Sequence, residues 1–144
     1  MNREELQTIL PHRAPMLLVD ESEIVEENIV ESSYTIPEDP WFTRGHFPGY
    51  PVVPGVILCE IMAQSSVLLI PKEQLVPNLA MYGGLDDVKF KNSVFPGDKV
   101  CVRSHTTVMR PPLVVVESEA KVKGKLCCKG TLKFMLVPKD KLGL

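Results

Sequence analysis

Between Pro54 and Pro71 the chain runs from Gly55 to Ile70 without a proline and with few polar groups, and this stretch limits the fold more than any other. A run of this length with that composition reads as one long helix, roughly 24 Å long at ~1.5 Å per residue. It is apolar nearly all the way round, so other parts of the chain must wrap it. It is too short for a membrane span, which needs ~20 apolar residues, and it carries Glu60 and Gln64 within it. The fold must therefore supply a sheath for a central helix.

The remaining periodicity supplies strands. Asn2 with Glu5 has the spacing of a capping box, and Leu6, Ile9 and Leu10 fall on one face of a short helix that Pro11 stops. Met16 to Val19 and Ile29 to Ile36 read as strands, the second ended by Pro37 and Pro40. Leu85 to Phe90 reads as another, followed by the turn Pro96-Gly97-Asp98. Beyond it Val100, Val102 and Val108, then Val114, Val116, Ala120 and Val122, alternate with polar residues up to a reversal at Gly124. In the last strand Leu126, Cys128, Leu132, Phe134 and Leu136 oppose Lys125, Lys129, Thr131 and Lys133. An early buried helix followed by a meander of half-buried strands predicts an α+β domain whose curved antiparallel sheet wraps the helix. At 144 residues the chain fits a single domain, 1–144.

Charge is divided along the chain. Residues 1–80 hold 4 Lys/Arg against 12 Asp/Glu, and residues 81–144 hold 12 against 6, within a formal net charge of -2. That balance excludes a generic nucleic-acid binder but gives an acidic partner a basic half to meet. Met1 to Leu10 is polar and lacks a secretory pattern, so a cytoplasmic protein with no membrane insertion is expected. Cys59, Cys101, Cys127 and Cys128 have no metal-ligand spacing and read as reduced, mostly buried thiols. His12, His46 and His105 lie on separate elements, which argues against a zinc site.

Two polar residues need an explanation. Glu60 lies in the middle of the apolar helix, where a carboxylate is costly unless it is paired, hydrogen-bonded or protonated. Gln64 is one turn further on, where its amide can hold that carboxyl in one orientation. A purely structural role for such a Glu, bonded to a nearby backbone group, is the competing reading. His46 lies in a loop shaped by Gly45, Pro48, Gly49, Pro51 and Pro54, and the loop leads straight into the helix N-terminus. There, free N–H groups and the helix dipole favour developing negative charge. A base, a carboxylic acid and an oxyanion site suit proton abstraction beside a carbonyl, although a lone loop histidine also serves as a structural hydrogen-bonding residue.

The segment GHFPGYPVVPGVILCEIMAQ resembles the signature of the single-hot-dog bacterial 3-hydroxyacyl-acyl-carrier-protein dehydratases, and LPHRAPMLLVD, LDDVKF and VFPGDKV extend the likeness over most of the chain. The resemblance implies a hot-dog fold and a homodimer, in some relatives a trimer of dimers, with each active site shared between two subunits. It implies His46 as the catalytic base and Glu60, from the facing subunit, as the catalytic acid. Gly55 would offer its N–H to the thioester carbonyl and Gln64 would orient Glu60. Phe47, Pro48 and Val56 would line the acyl tunnel. The implied reaction is reversible loss of water from a (3R)-3-hydroxyacyl thioester to give a trans-2-enoyl thioester, in fatty acid biosynthesis. Acyl carrier protein is the implied partner, bearing the substrate on phosphopantetheine, and no cofactor of the enzyme's own is implied.

The chain departs from the family pattern in two places. Tyr50 stands where many relatives carry a basic residue, and Met81, with Tyr82 beside it, stands where relatives carry a tyrosine that gates the acyl tunnel, so both are counted among the tunnel residues. Glutamate at position 60, rather than aspartate, favours the plain dehydratase over the dehydratase/isomerase group. Arg44, Lys89, Lys91 and Lys99 are candidates for docking the acidic carrier. Two other functions stay open at this level: a hot-dog thioesterase using a carboxylate-activated water, and a non-catalytic acyl-carrier-binding subunit.

Overall fold

The computed structural model describes Met1–Leu144. Its chain order is α1 (Arg3–Leu6), β1 (Glu21–Glu26), β2 (Ile29–Thr35), α2 (Gly55–Ser65), a 3-10 turn (Val67–Leu69), α3 (Lys72–Leu75), β3 (Asn78–Phe90), β4 (Lys99–Arg110), β5 (Leu113–Val122), β6 (Lys125–Pro138) and a closing 3-10 turn (Lys139–Leu142). The six strands form one sheet in the order β1-β2-β4-β5-β6-β3, and every pairing is antiparallel. Packed on one face, α2 buries Ile57, Leu58, Ile61 and Met62 against Val100, Val102, Val114, Val116, Leu132 and Phe134 of the sheet. The expected α+β architecture, a curved sheet around a central helix, is the one observed. No helix is long and apolar enough to cross a membrane.

Local chemistry accounts for the ends of the elements. Asn2 caps α1 with the reciprocal Glu5 bond of a capping box. Lys123 and Gly124, both at positive φ, turn β5 into β6. All four cysteines are free, and Cys59, Cys127 and Cys128 are buried.

Three expectations need correction. The helix ends at Ser65 instead of Ile70, which makes it about 16 Å long. At that end Ser66 Oγ donates to the Met62 carbonyl and lies 3.1 Å from Ser104 Oγ, drawing the last turn toward β4, and the chain tightens into the 3-10 turn. Met16 to Val19 is not a strand. Its apolar side chains are buried from Leu17 onward, but its backbone bonds to side chains: the carbonyls of Leu17 and Val19 accept from Arg3, and the Leu18 N–H donates to Gln64. The strand preceding β2 is β1, which the periodicity missed because five of its six residues are exposed and its one buried residue is Ser22. The strand expected from Leu85 begins earlier, at Asn78, so Met81 and Tyr82 belong to β3.

β3 also sets the outline of the molecule. It is an edge strand of 13 residues, hydrogen-bonded on one side only, to β6, and none of its residues is buried.

Candidate active site

The loop before α2 holds His46 by its backbone and by its ring. The His46 N–H donates to the Thr43 carbonyl, and Phe47 and Tyr50 exchange two backbone hydrogen bonds across a turn that needs positive φ at Gly49. The ring of Phe47 stacks on the imidazole at 4.3 Å between centroids. His46 Nδ1 lies 3.0 Å from the Val52 carbonyl oxygen. A carbonyl only accepts, so Nδ1 carries the hydrogen, and in the neutral ring the lone pair is therefore on Nε2. This contact fixes the tautomer a general base requires.

His46 shares a cavity of about 490 Å³ with Val52, Gly55, Val56, Phe90 and Asn92. Gly55 is the first residue of α2, and Pro54 before it provides no side-chain cap; Ile57 and Leu58 donate to the Pro54 carbonyl, which leaves the N–H groups of Gly55 and Val56 without a partner. A Cβ on Gly55 would lie 2.8 Å from the Phe90 ring. Glycine is what allows that ring to cover the helix start. Of the residues expected to line the acyl tunnel, Val56 lines this cavity and is 74% exposed, while Phe47 and Pro48 lie on the loop with their side chains exposed.

Glu60 does not enter that space. Five residues along a helix turn a side chain about 140° around the axis from Gly55. Glu60 accordingly lines a second cavity, of about 440 Å³, together with His12, Gln64, Met81, Tyr82 and Phe134. Its Oε1 accepts from Gln64 Nε2 at 3.1 Å, the contact predicted from the spacing. Gln64 does more than the spacing indicated. It is buried, and it also donates to the Met16 carbonyl and accepts from the Leu18 N–H, both at 2.8 Å. These bonds strap the Pro11–Val19 segment across α2. The strap brings His12 Nε2 to 3.4 Å from Glu60 Oε1, a neighbour the sequence reading considered only as a metal ligand. Its presence in LPHRAPMLLVD was the available signal.

Tyr82 closes one wall of this cavity. Its ring stacks on Phe134, and its hydroxyl donates to the Cys59 carbonyl at 2.6 Å. Burial of that hydroxyl raises the phenol well above the usual tyrosine range, and the neighbouring Glu60 charge adds to the effect. Of the basic residues considered for docking, Lys91 lines the His46 cavity. Lys99 lines a separate polar hollow with Glu21 and Glu31, and Arg44 is paired with Asp39 at 3.5 Å. Lys89 is exposed on β3.

Residues 10–131 match the FabA-like domain. The chain is 45% identical over 139 residues to the 3-hydroxyacyl-[acyl-carrier-protein] dehydratase FabZ of Lactococcus lactis subsp. cremoris, covering 94% of this chain and 95% of that protein. It is 44% identical to the enzyme of the same name from Streptococcus pyogenes serotype M3, covering 93% and 97%. Among solved structures it superposes on the dehydratase heterocomplex ApeI:P of Xenorhabdus doucetiae with a TM-score of 0.79 at 22% identity, covering 95% and 93% of the two chains. The thioesterase HI1161 of Haemophilus influenzae gives 0.66 at 16%, covering 96% and 92%. At those identities the structures establish the hot-dog fold, and the sequence relatives establish the rest: the chain belongs to the family of FabA-like 3-hydroxyacyl-[acyl-carrier-protein] dehydratases.

Proposed function

We propose that the chain removes water reversibly from (3R)-3-hydroxyacyl groups on acyl carrier protein, giving trans-2-enoyl thioesters for fatty acid biosynthesis, and that two copies share each active site. The observation that carries this reading is the separation of the two halves within one chain. His46 and the free N–H of Gly55 face one cavity and Glu60 faces another. The two cavities border opposite ends of β3, with Phe90 at the first and Met81 and Tyr82 at the second. Antiparallel pairing of β3 with its own copy, about a two-fold axis through the middle of the strand, sets the Phe90 end of one chain beside the Met81 end of the other. Such pairing is the natural use of a long edge strand with no proline and no buried residue. His46 of one subunit then meets Glu60 of the next.

In that site the bare Nε2 of His46 takes a proton from C2 of the acyl chain. Negative charge developing on the thioester carbonyl is met by the Gly55 N–H and the positive end of α2. Glu60 gives its proton to the departing 3-hydroxyl, so that the C3–O bond breaks and water leaves as the C2–C3 double bond forms. His46 and Glu60 then return to their starting states by exchange with water. The scheme uses no cofactor. Lys91, at the rim of the His46 cavity, is the best-placed of the docking candidates for the acidic carrier or its phosphate.

Mixing two inactive variants tests both parts of the proposal. Purified His46→Ala and Glu60→Gln should each lose water-forming activity on a 3-hydroxyacyl thioester. After subunit exchange, the mixed dimers carry one intact site in two, so about 25% of wild-type activity should return. No recovery despite demonstrated exchange would overturn the shared site. Near-normal activity of His46→Ala, or hydrolysis of a saturated acyl thioester in place of water loss, would overturn the dehydratase mechanism.

A further inference from the structure

Glu60 Oε1 has two nitrogen neighbours, Gln64 Nε2 at 3.1 Å and His12 Nε2 at 3.4 Å, and no hydrogen bond is made to Oε2. The two oxygens of one carboxyl are therefore in different surroundings. His12 Nδ1 is buried without a hydrogen-bond partner. A hydrogen there would be a buried donor with nothing to accept it, so the geometry favours the tautomer whose hydrogen is on Nε2, the ring nitrogen beside Oε1. Gln64 then donates to Oε1, and the hydrogen-bearing nitrogen of His12 lies 3.4 Å from the same oxygen.

We infer that His12 is a positioning residue that acts through Glu60: with Gln64 it fixes Oε1 as the accepting, carbonyl-type oxygen and so leaves the acid proton on Oε2, the oxygen free to face substrate. This inference rests on the reading of Glu60 as the acid. A carboxylic acid donates from one oxygen and accepts at the other, and an unrestrained carboxyl spends much of its time with its proton on the wrong one or rotated away. Gln64 alone does not settle the choice, because a single donor leaves the carboxyl free to pivot about that bond. A second donor from a different element removes the pivot. The surrounding structure is built to hold that donor. Arg13 folds back to donate to the carbonyls of Gln7, Leu10 and His12, fixing the backbone on either side of the imidazole, while Gln64 anchors the far end of the same segment through Met16 and Leu18.

The test uses the full-length protein and a 3-hydroxyacyl thioester substrate. His12→Phe keeps the ring and removes the donor; it should lower kcat about 10- to 100-fold with little change in KM, because the acid is mis-set and substrate contacts are kept. His12→Gln, whose amide nitrogen reaches about as far as Nε2, should recover most of the loss. In a Glu60→Gln background, His12→Phe should cause no further decrease in the residual rate, since its effect passes through Glu60. Wild-type kcat in His12→Phe, failure of His12→Gln to recover activity while the protein remains folded, or additive losses in the double variant would each overturn the inference. The outcome for the parent reading is separate: if Glu60→Gln alone retains activity, it is the role of Glu60 as the acid that fails.

Discussion

At the scale of single residues, the site depends on where hydrogens are held, and that information is mostly non-local. The tautomer of His46 is set by the Val52 carbonyl, six residues away, and the setting of Glu60 depends on His12, which no helical spacing relates to it. The Glu60–Gln64 contact, by contrast, was legible, because one turn of helix is enough to predict it. Tyr82 offers a test of the local environment. Although the side chain as a whole is 39% exposed, its hydroxyl is turned inward to the Cys59 carbonyl, and burial raises the phenol. Tyr34 is raised as well, again chiefly by burial. A group whose folded value lies above its unfolded one contributes stability that is present below the unfolded value and is lost as the pH climbs past it. Above pH ~10 the unfolded chain releases protons that the folded chain keeps, so stability should fall steadily there. Tyr82→Phe should lose about 1 kcal/mol near neutrality with its hydrogen bond and should show a shallower alkaline decline. Denaturant titrations at a series of pH values would measure both effects.

At the scale of elements, α2 and the strand meander from Lys99 to Pro138 followed from apolar periodicity, since each presents a continuous face to the core. The segment between α1 and β1 did not follow. An apolar run such as Met16 to Val19 announces burial, but it does not say whether its backbone will pair with a strand or with side chains. Here Arg3 and Gln64 take those backbone groups, and neither partner is near in sequence. β1 was hidden for the opposite reason, being a paired strand with almost nothing apolar to bury. Gln64 is thus the link between the helix and its neighbouring segment. Gln64→Leu fills a similar volume but leaves the buried Leu18 N–H without its acceptor and the Met16 carbonyl without its donor. A loss of ~2–4 kcal/mol is expected from stranding these groups. Chemical denaturation at fixed protein concentration would show it, together with a loss of activity as His12 and Glu60 separate.

At the scale of the whole molecule, the unused edge of β3 and the division of the site into two cavities are one problem with one proposed solution. A lone chain leaves a long unprotected strand edge and keeps His46 and Glu60 in separate cavities. Pairing through β3 addresses both, and it places Leu85, near the centre of the strand, close to its own copy. Leu85 is 43% exposed in the single chain, so a charge there should be compatible with folding. Across a two-fold axis the same charge meets itself, and like charges on facing strands repel. Leu85→Glu should therefore shift the protein toward monomer in sedimentation velocity and remove activity, with the circular dichroism of the fold retained. Leu85→Lys should behave the same way alone. Mixing the two variants sets opposite charges against each other, and dimer and activity should return together. If Leu85→Glu is an active monomer, each chain must complete its own site, and the joining of half-sites through β3 is wrong.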